Sequence, residues 1–128
     1  MRKKTSRTIE WVPLTTLRGV ATWATMYQDP EDNIRLHGAS TAVARLEVRY
    51  LTHCTVVVEG SDTGGNDYAT VASVSAFSSV TPTSQTVRLN RLVPLGQTGR
   101  LYDFMRYRIA GDGAEWAVMF RVSLTVTG

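Results

Sequence analysis

Between Glu115 and Thr127 the chain alternates without a break. Trp116, Val118, Phe120, Val122, Leu124 and Val126 fall on one side, and Glu115, Ala117, Met119, Arg121, Ser123, Thr125 and Thr127 on the other. A period of two held this long requires a β-strand with one face in a core, because a helix would scatter those apolar residues around its circumference. Shorter versions recur. Leu46, Val48 and Tyr50 alternate with Arg45, Glu47 and Arg49, and Cys54, Val56 and Val58 open a strand that ends at Glu59. Met105, Tyr107 and Ile109 alternate with Phe104, Arg106 and Arg108. Tyr68 to Val74 and Gln85 to Leu89 read as further strands around a turn at Pro82. Ile9 to Val12 is a short strand that Pro13 confines to an edge or a strand end. Leu14 to Tyr27 fits either period, and the β-branched and aromatic residues after Gly19 favour strand.

The expected fold is therefore all-β, an antiparallel β-sandwich or jelly roll of about seven to nine strands with an extended N-terminal arm. Gly60 to Asp67 is a loop, since glycine supplies positive φ and Asp and Asn bond locally to the backbone. Gly111-Asp112-Gly113 is expected to turn the chain through a hairpin into the closing strand, which would then be central in its sheet. The mildly apolar outward face of that strand suits cover by the arm or by a neighbouring subunit.

A chain of 128 residues forms one body, able to bury roughly two thirds of the surface it exposes when unfolded. The net charge of +3 is concentrated at the start, where Arg2, Lys3, Lys4, Arg7 and Arg18 face only Glu10. This divides the chain into a basic arm and lead-in over residues 1–30 and a nearly neutral sandwich over 31–128. The stretch from Val71 to Val87 is uncharged but too rich in Ser and Thr to cross a bilayer, and no apolar run follows the basic start, so neither a membrane span nor a secretory signal is expected. The single cysteine, Cys54, excludes an intrachain disulfide and reads as a small buried hydrophobe.

Catalytic and cofactor chemistry finds little support. Asp62-Thr63-Gly64 is the tripeptide of aspartic proteases, but Gly60-Ser61 before it and Gly65-Asn66 after it make a hairpin tip rather than the strand end that pairs two carboxylates. Asp62, Asn66 and Asp67 could offer oxygen ligands, yet turn chemistry accounts for them. His37 and His53 lie far apart, and His53 and Cys54 point to opposite faces of a strand, which disfavours zinc. Neither a nucleophile elbow nor a phosphate loop is present. No enzyme activity, metal or cofactor is expected. Arg45, Arg49, Arg106, Arg108 and Arg121 would line up as a basic strip if their strands were neighbours, but interspersed Glu47, Asp103 and Glu115 favour a mixed-charge face over nucleic-acid binding. Trp11, Trp23, Tyr27, Tyr68 and Tyr102 include candidates for a sugar-stacking platform.

The run Cys54-Thr-Val-Val-Val-Glu-Gly-Ser-Asp62, followed by Tyr68-Ala-Thr-Val-Ala, Phe104-Met-Arg-Tyr-Arg-Ile109 and the final alternating strand, resembles the small β-sandwich proteins of tailed bacteriophage particles. It is also similar, more weakly, to galactose-binding jelly rolls used as carbohydrate-binding modules, although the Trp that usually follows the hairpin is Tyr68 here. The resemblance covers about residues 40 to 128 and rests on turn and strand preferences. The phage likeness implies a non-enzymatic virion protein, a capsid decoration (cement) protein or a component of the head or tail surface. It would join capsid or other virion subunits as part of an oligomeric assembly. Its arm would supply the contacts, with Ile9, Trp11 and Leu14 as apolar anchors and Arg2, Lys3, Lys4 and Arg7 pairing with acidic surface.

Overall fold

The computed structural model describes residues 6–20, 25–29, 32–36, 38–65, 67–75 and 83–128. These form nine strands: β1 (Ser6–Gly19), β2 (Thr25–Tyr27), β3 (Ile34–Arg35), β4 (Thr41–Thr52), β5 (Cys54–Ser61), β6 (Ala69–Ser75), β7 (Thr83–Asn90), β8 (Phe104–Gly111) and β9 (Trp116–Thr127). One sheet has the order β1-β9-β4-β7 and the other β2-β8-β5-β6, with β3 beside β8. Every pairing between these strands is antiparallel. The chain is an all-β sandwich, as its alternation requires.

The pairing has a simple logic. β5 meets β6, β4 meets β7, β2 meets β8 and β1 meets β9, so the chain runs as one long antiparallel ribbon whose tip is the β5–β6 hairpin. Rolling the ribbon brings β4 against β9 and β5 against β8. With the two-residue β3 set aside, this is the double Greek key of a jelly roll, an architecture found in viral capsid domains, lectins and cupins.

The ribbon also corrects the expectation of a closing hairpin. β8 and β9 lie in different sheets, so Gly111 to Glu115 carries the chain across the sandwich rather than back along its own strand. The β4–β5 junction crosses at the same end through one residue, His53, whose φ of 54° places it in the left-handed region. The two crossings are tied together. The Asp112 N–H donates to the His53 carbonyl at 3.1 Å, and the His53 Nδ1 lies 3.1 Å from Asp112 Oδ2.

Alternation sets the core. Val118, Phe120, Val122 and Leu124 of β9 are fully buried and face Val56, Met105 and Ile109 of the other sheet. The Phe120 ring meets Tyr107 edge-on, 5.1 Å between centroids and 77° between planes, which links the sheets at mid-height. Cys54 is buried, and burial pushes its thiol up to about 11, as a small core hydrophobe rather than a reactive group. β5 runs two residues past Glu59, and Gly60 there passes directly beneath the Tyr102 ring.

Residues 6–19 lie within the first sheet as its edge strand, hydrogen-bonded along β9 from Ser6 opposite Thr127 to Gly19 opposite Trp116. The segment from Leu14 is therefore strand as far as Gly19. Register shifts fall between Ile9 and Val12 and between Val12 and Thr15, the second spanning Pro13, which the open edge tolerates. A bulged, proline-bearing edge is poorly suited to pairing with another chain's strand. Contacts with partners are therefore better sought on loops and faces.

Candidate interaction surface

Two places on the sandwich carry side chains arranged beyond the needs of the core. The first is the loop between β7 and β8. Its Leu92 and Leu95 are 89% and 65% exposed, yet the backbone around them is firmly held. Leu92 N–H donates to Asn90 Oδ1 at 2.8 Å, Gly96 N–H to the Tyr102 hydroxyl at 3.2 Å, and Asn90 N–H to the Gly99 carbonyl at 2.8 Å. Arg100 closes the loop from below by donating to the carbonyls of Arg91 and Val93 and, at 3.0 Å, to Asp62 Oδ2. Arg91 in turn donates to Asp103 Oδ1 at 2.5 Å and to the carbonyls of Leu36 and Ala39.

This network explains Asp62. One of its oxygens holds Arg100 and the other accepts the Asp103 N–H at 3.2 Å, so the carboxylate braces the loop, in line with the turn reading of Asp62-Thr63-Gly64. Asp67 accepts from the Ser61 and Thr63 hydroxyls at 2.5 and 2.6 Å within the β5–β6 hairpin. Asn66 and His37 lie outside the described residues, among which no cluster of three metal-binding side chains occurs.

The second place is the outer face of the β2-β8-β5-β6 sheet. Glu59 occupies an outward position on β5 opposite Arg106, but is only 6% exposed. Its two oxygens accept from Arg106 Nε at 3.0 Å and Arg108 Nε at 3.2 Å. The Arg106 guanidinium lies 4.5 Å from the Tyr27 ring centroid and 3.7 Å from that of Tyr68. Those rings come from opposite edges of the sheet, Tyr27 from β2 and Tyr68 from the residue before β6. Arg35, on β3 of the same sheet, stacks on Phe104 at 5.5 Å.

The five arginines considered as a strip are thereby divided. Arg45 and Arg121 share Glu47 on the other sheet, with Arg121 gripping both carboxylate oxygens at 2.6 and 3.1 Å. Each sheet thus carries its own glutamate between two arginines, and the strip does not form. The aromatic candidates are likewise dispersed. Trp11 packs against the core and its indole N–H donates to the Asp32 carbonyl at 3.0 Å, while Tyr102 is buried. Tyr27 and Tyr68 are engaged by Arg106, and Trp23 lies outside the described residues, so no shared open platform exists among those described.

Of the arm residues, Arg2, Lys3 and Lys4 lie outside the described residues. Arg7 is exposed on β1, Ile9 packs against the core, and Leu14 is 46% exposed beside Pro13. Ser6, Thr127, Thr41 and Asn90 form one row across the sheet, so the N-terminal segment enters at the end of the sandwich that carries Leu92 and Leu95. Sequence reasoning passed over the leucine loop. Its trace there is an apolar Leu92-Val93-Pro94-Leu95 with no strand period, set between Arg91 and Arg100.

The charged groups predict a pH response. Hydrogen bonding from Arg121 holds the Glu47 carboxyl below its ordinary 4.5, and hydrogen bonds from Ser61 and Thr63 hold Asp67 below 3.8. A carboxyl lowered in the folded state contributes stability that is complete above its unfolded value and is lost as pH falls through the folded one. The melting temperature is therefore expected to fall on acidification below 4.5, and Glu47→Gln should flatten that acid limb. An acid limb identical in the variant would assign it to other carboxylates.

No family model matches the chain, and no curated protein matches it. A solved structure titled "Structure of infectious bursal disease virus Gx strain" is similar at a TM-score of 0.37 and 12% identity over 98% of this chain. The chain spans about a third of the matched chain, 32% of its length. A likeness of that degree assigns no role.

Proposed function

We propose that this chain is a non-enzymatic structural protein of a virus particle, and, following the resemblance of residues 40 to 128, a decoration protein on a tailed-phage capsid. The observation that carries the proposal is the pinned leucine loop. Single exposed leucines are ordinary on protein surfaces, but two on a loop immobilised by side-chain and backbone hydrogen bonds form a pre-ordered apolar tip. Burying each leucine against a partner would contribute roughly 1.5–3 kcal/mol. Repetition over a symmetric shell would convert so modest a contact into firm attachment. The jelly-roll topology is compatible with this role without requiring it, since lectins share it. The carbohydrate reading loses ground because Tyr27 and Tyr68 are already stacked on Arg106.

β1 begins, at Ser6, at the same end as the tip, so one acidic neighbouring subunit could engage both the tip and the basic residues Arg2, Lys3, Lys4 and Arg7. Mass spectrometry of particles purified from the virus that encodes the chain should detect it. Leu92→Ser with Leu95→Ser should abolish its incorporation while leaving the melting temperature within about 2 °C, since surface changes cost little. Deleting residues 2–5, which spares β1, should weaken incorporation. Wild-type particles lacking the chain, or full incorporation of the double variant, would sink the proposal.

A further inference from the structure

The Glu59 cluster is more elaborate than a surface ion pair. An outward-facing carboxylate that is 6% exposed has lost most of its hydration, and that cost is offset by the two guanidinium groups over it. Glu59 balances only one of their two charges. The contacts recorded with Glu59 use the Nε of each guanidinium, one of five N–H donors apiece. Tyr27 and Tyr68, reaching over from opposite sheet edges, restrict the rotamers of Arg106 before any partner arrives. The cluster on the opposite sheet, Arg45, Glu47 and Arg121, has no ring contact among the described residues, so the two outer glutamate clusters differ in aromatic flanking.

We propose that Arg106 and Arg108, held on Glu59 and flanked by Tyr27 and Tyr68, form a docking site for an acidic side chain of a neighbouring protein subunit. A guanidinium fork matches a carboxylate in a plane with two parallel hydrogen bonds, and tyrosine and arginine are the residues that dominate interface energetics. Tyr27, 53% exposed, supplies the apolar rim. A nucleic acid is disfavoured for two reasons. Guanidinium groups already lie over one face of Tyr27, Tyr68 and Phe104, where a base would otherwise stack, and Glu59 sets a negative charge in the middle of the sheet face. This site is separate from the leucine tip and goes beyond the proposal made for it.

The test is a titration of the full chain with an acetylated hexaglutamate peptide at low salt, following the arginine Nε–Hε resonances by NMR. The Arg106 and Arg108 signals are expected to shift, and Arg108→Gln or Arg106→Lys to weaken binding about tenfold or more, because lysine keeps the charge but loses the fork and the planar stack. Amide spectra report whether each variant is folded, and Arg106→Lys, the milder change, serves if Arg108→Gln is not. Leu92→Ser with Leu95→Ser should bind the peptide as the parent does, which keeps failure of this site distinct from failure of the tip. Three results would overturn the proposal. They are no shift at these arginines, peptide binding that the arginine variants leave intact and that Lys3→Gln with Lys4→Gln abolishes, and tighter binding of oligothymidylate than of the peptide at these same arginines.

Discussion

Phe120→Ala is expected to lower the unfolding free energy by about 4 kcal/mol, read from urea or thermal denaturation. Phe120 is fully buried at mid-length of β9, paired with Val48 of β4 on one side and Thr15 of β1 on the other. Its side chain crosses the interior to meet the Tyr107 ring of the opposite sheet. Truncation removes the transfer free energy of a benzyl group, leaves a cavity between two sheets too stiff to collapse onto it, and deletes the edge-on ring contact. A domain of this kind is stable by about 5–15 kcal/mol in total, so the loss is a quarter or more of the whole and, at the low end of that range, leaves only about 1 kcal/mol. Phe120→Leu keeps much of the volume and should cost about half as much. A loss below about 1 kcal/mol for the alanine variant would show that the sheets are not joined through this ring.

Gly60→Ala is expected to destabilise the fold by about 3 kcal/mol, opposite in sign to the usual effect of replacing a strand glycine by alanine. A β-carbon at Gly60 would lie 2.4 Å from Tyr102 Cδ2, 2.8 Å from its Cγ and 2.9 Å from its Cβ. These atoms lie close to the Tyr102 backbone and cannot swing aside as the end of a long side chain would. Tyr102 is 4% exposed, and its hydroxyl accepts the Gly96 N–H that helps hold the leucine loop. The clash is thus expected to reach the proposed docking tip as well as the core. A double-mutant cycle with Tyr102→Ala supplies the check, since removing the ring should erase most of the Gly60→Ala penalty. A penalty that survives in the Tyr102→Ala background would place the strain in the backbone instead.

The leucine loop and the Glu59 cluster were legible to different degrees. Arg106 and Arg108 stand out in the sequence as the outward residues of an alternating strand, and so does Glu59 at the end of another. That they meet depends on β5 lying beside β8, a pairing between segments more than forty residues apart. Tyr27 and Tyr68 arrive through two further pairings of β2 and β6, and no local pattern announces either. The strip imagined from five arginines failed for the same reason, because a strand's sequence shows which face an arginine occupies but not which sheet the strand joins. Leu92 and Leu95 lack any period and read as loop filler until Arg91, Arg100 and Asp62 are seen to hold the backbone that displays them.

The closing strand shows where the line falls. By itself, the sequence from Trp116 to Val126 determined that this segment is extended, which side chains enter the core and which do not, because burial imposes a period of two on any half-buried strand. The neighbours of that strand were decided by the tertiary structure alone. β9 lies between β1 and β4, and the Gly111-Asp112-Gly113 turn crosses from one sheet to the other instead of closing a hairpin with β8. Either route satisfies the backbone hydrogen bonds of β9 and the length of the turn. The choice rests on packing the whole ribbon, in which Ser6 must reach Thr127 across nearly the full chain, and that requirement leaves no mark on the thirteen residues that declare the strand.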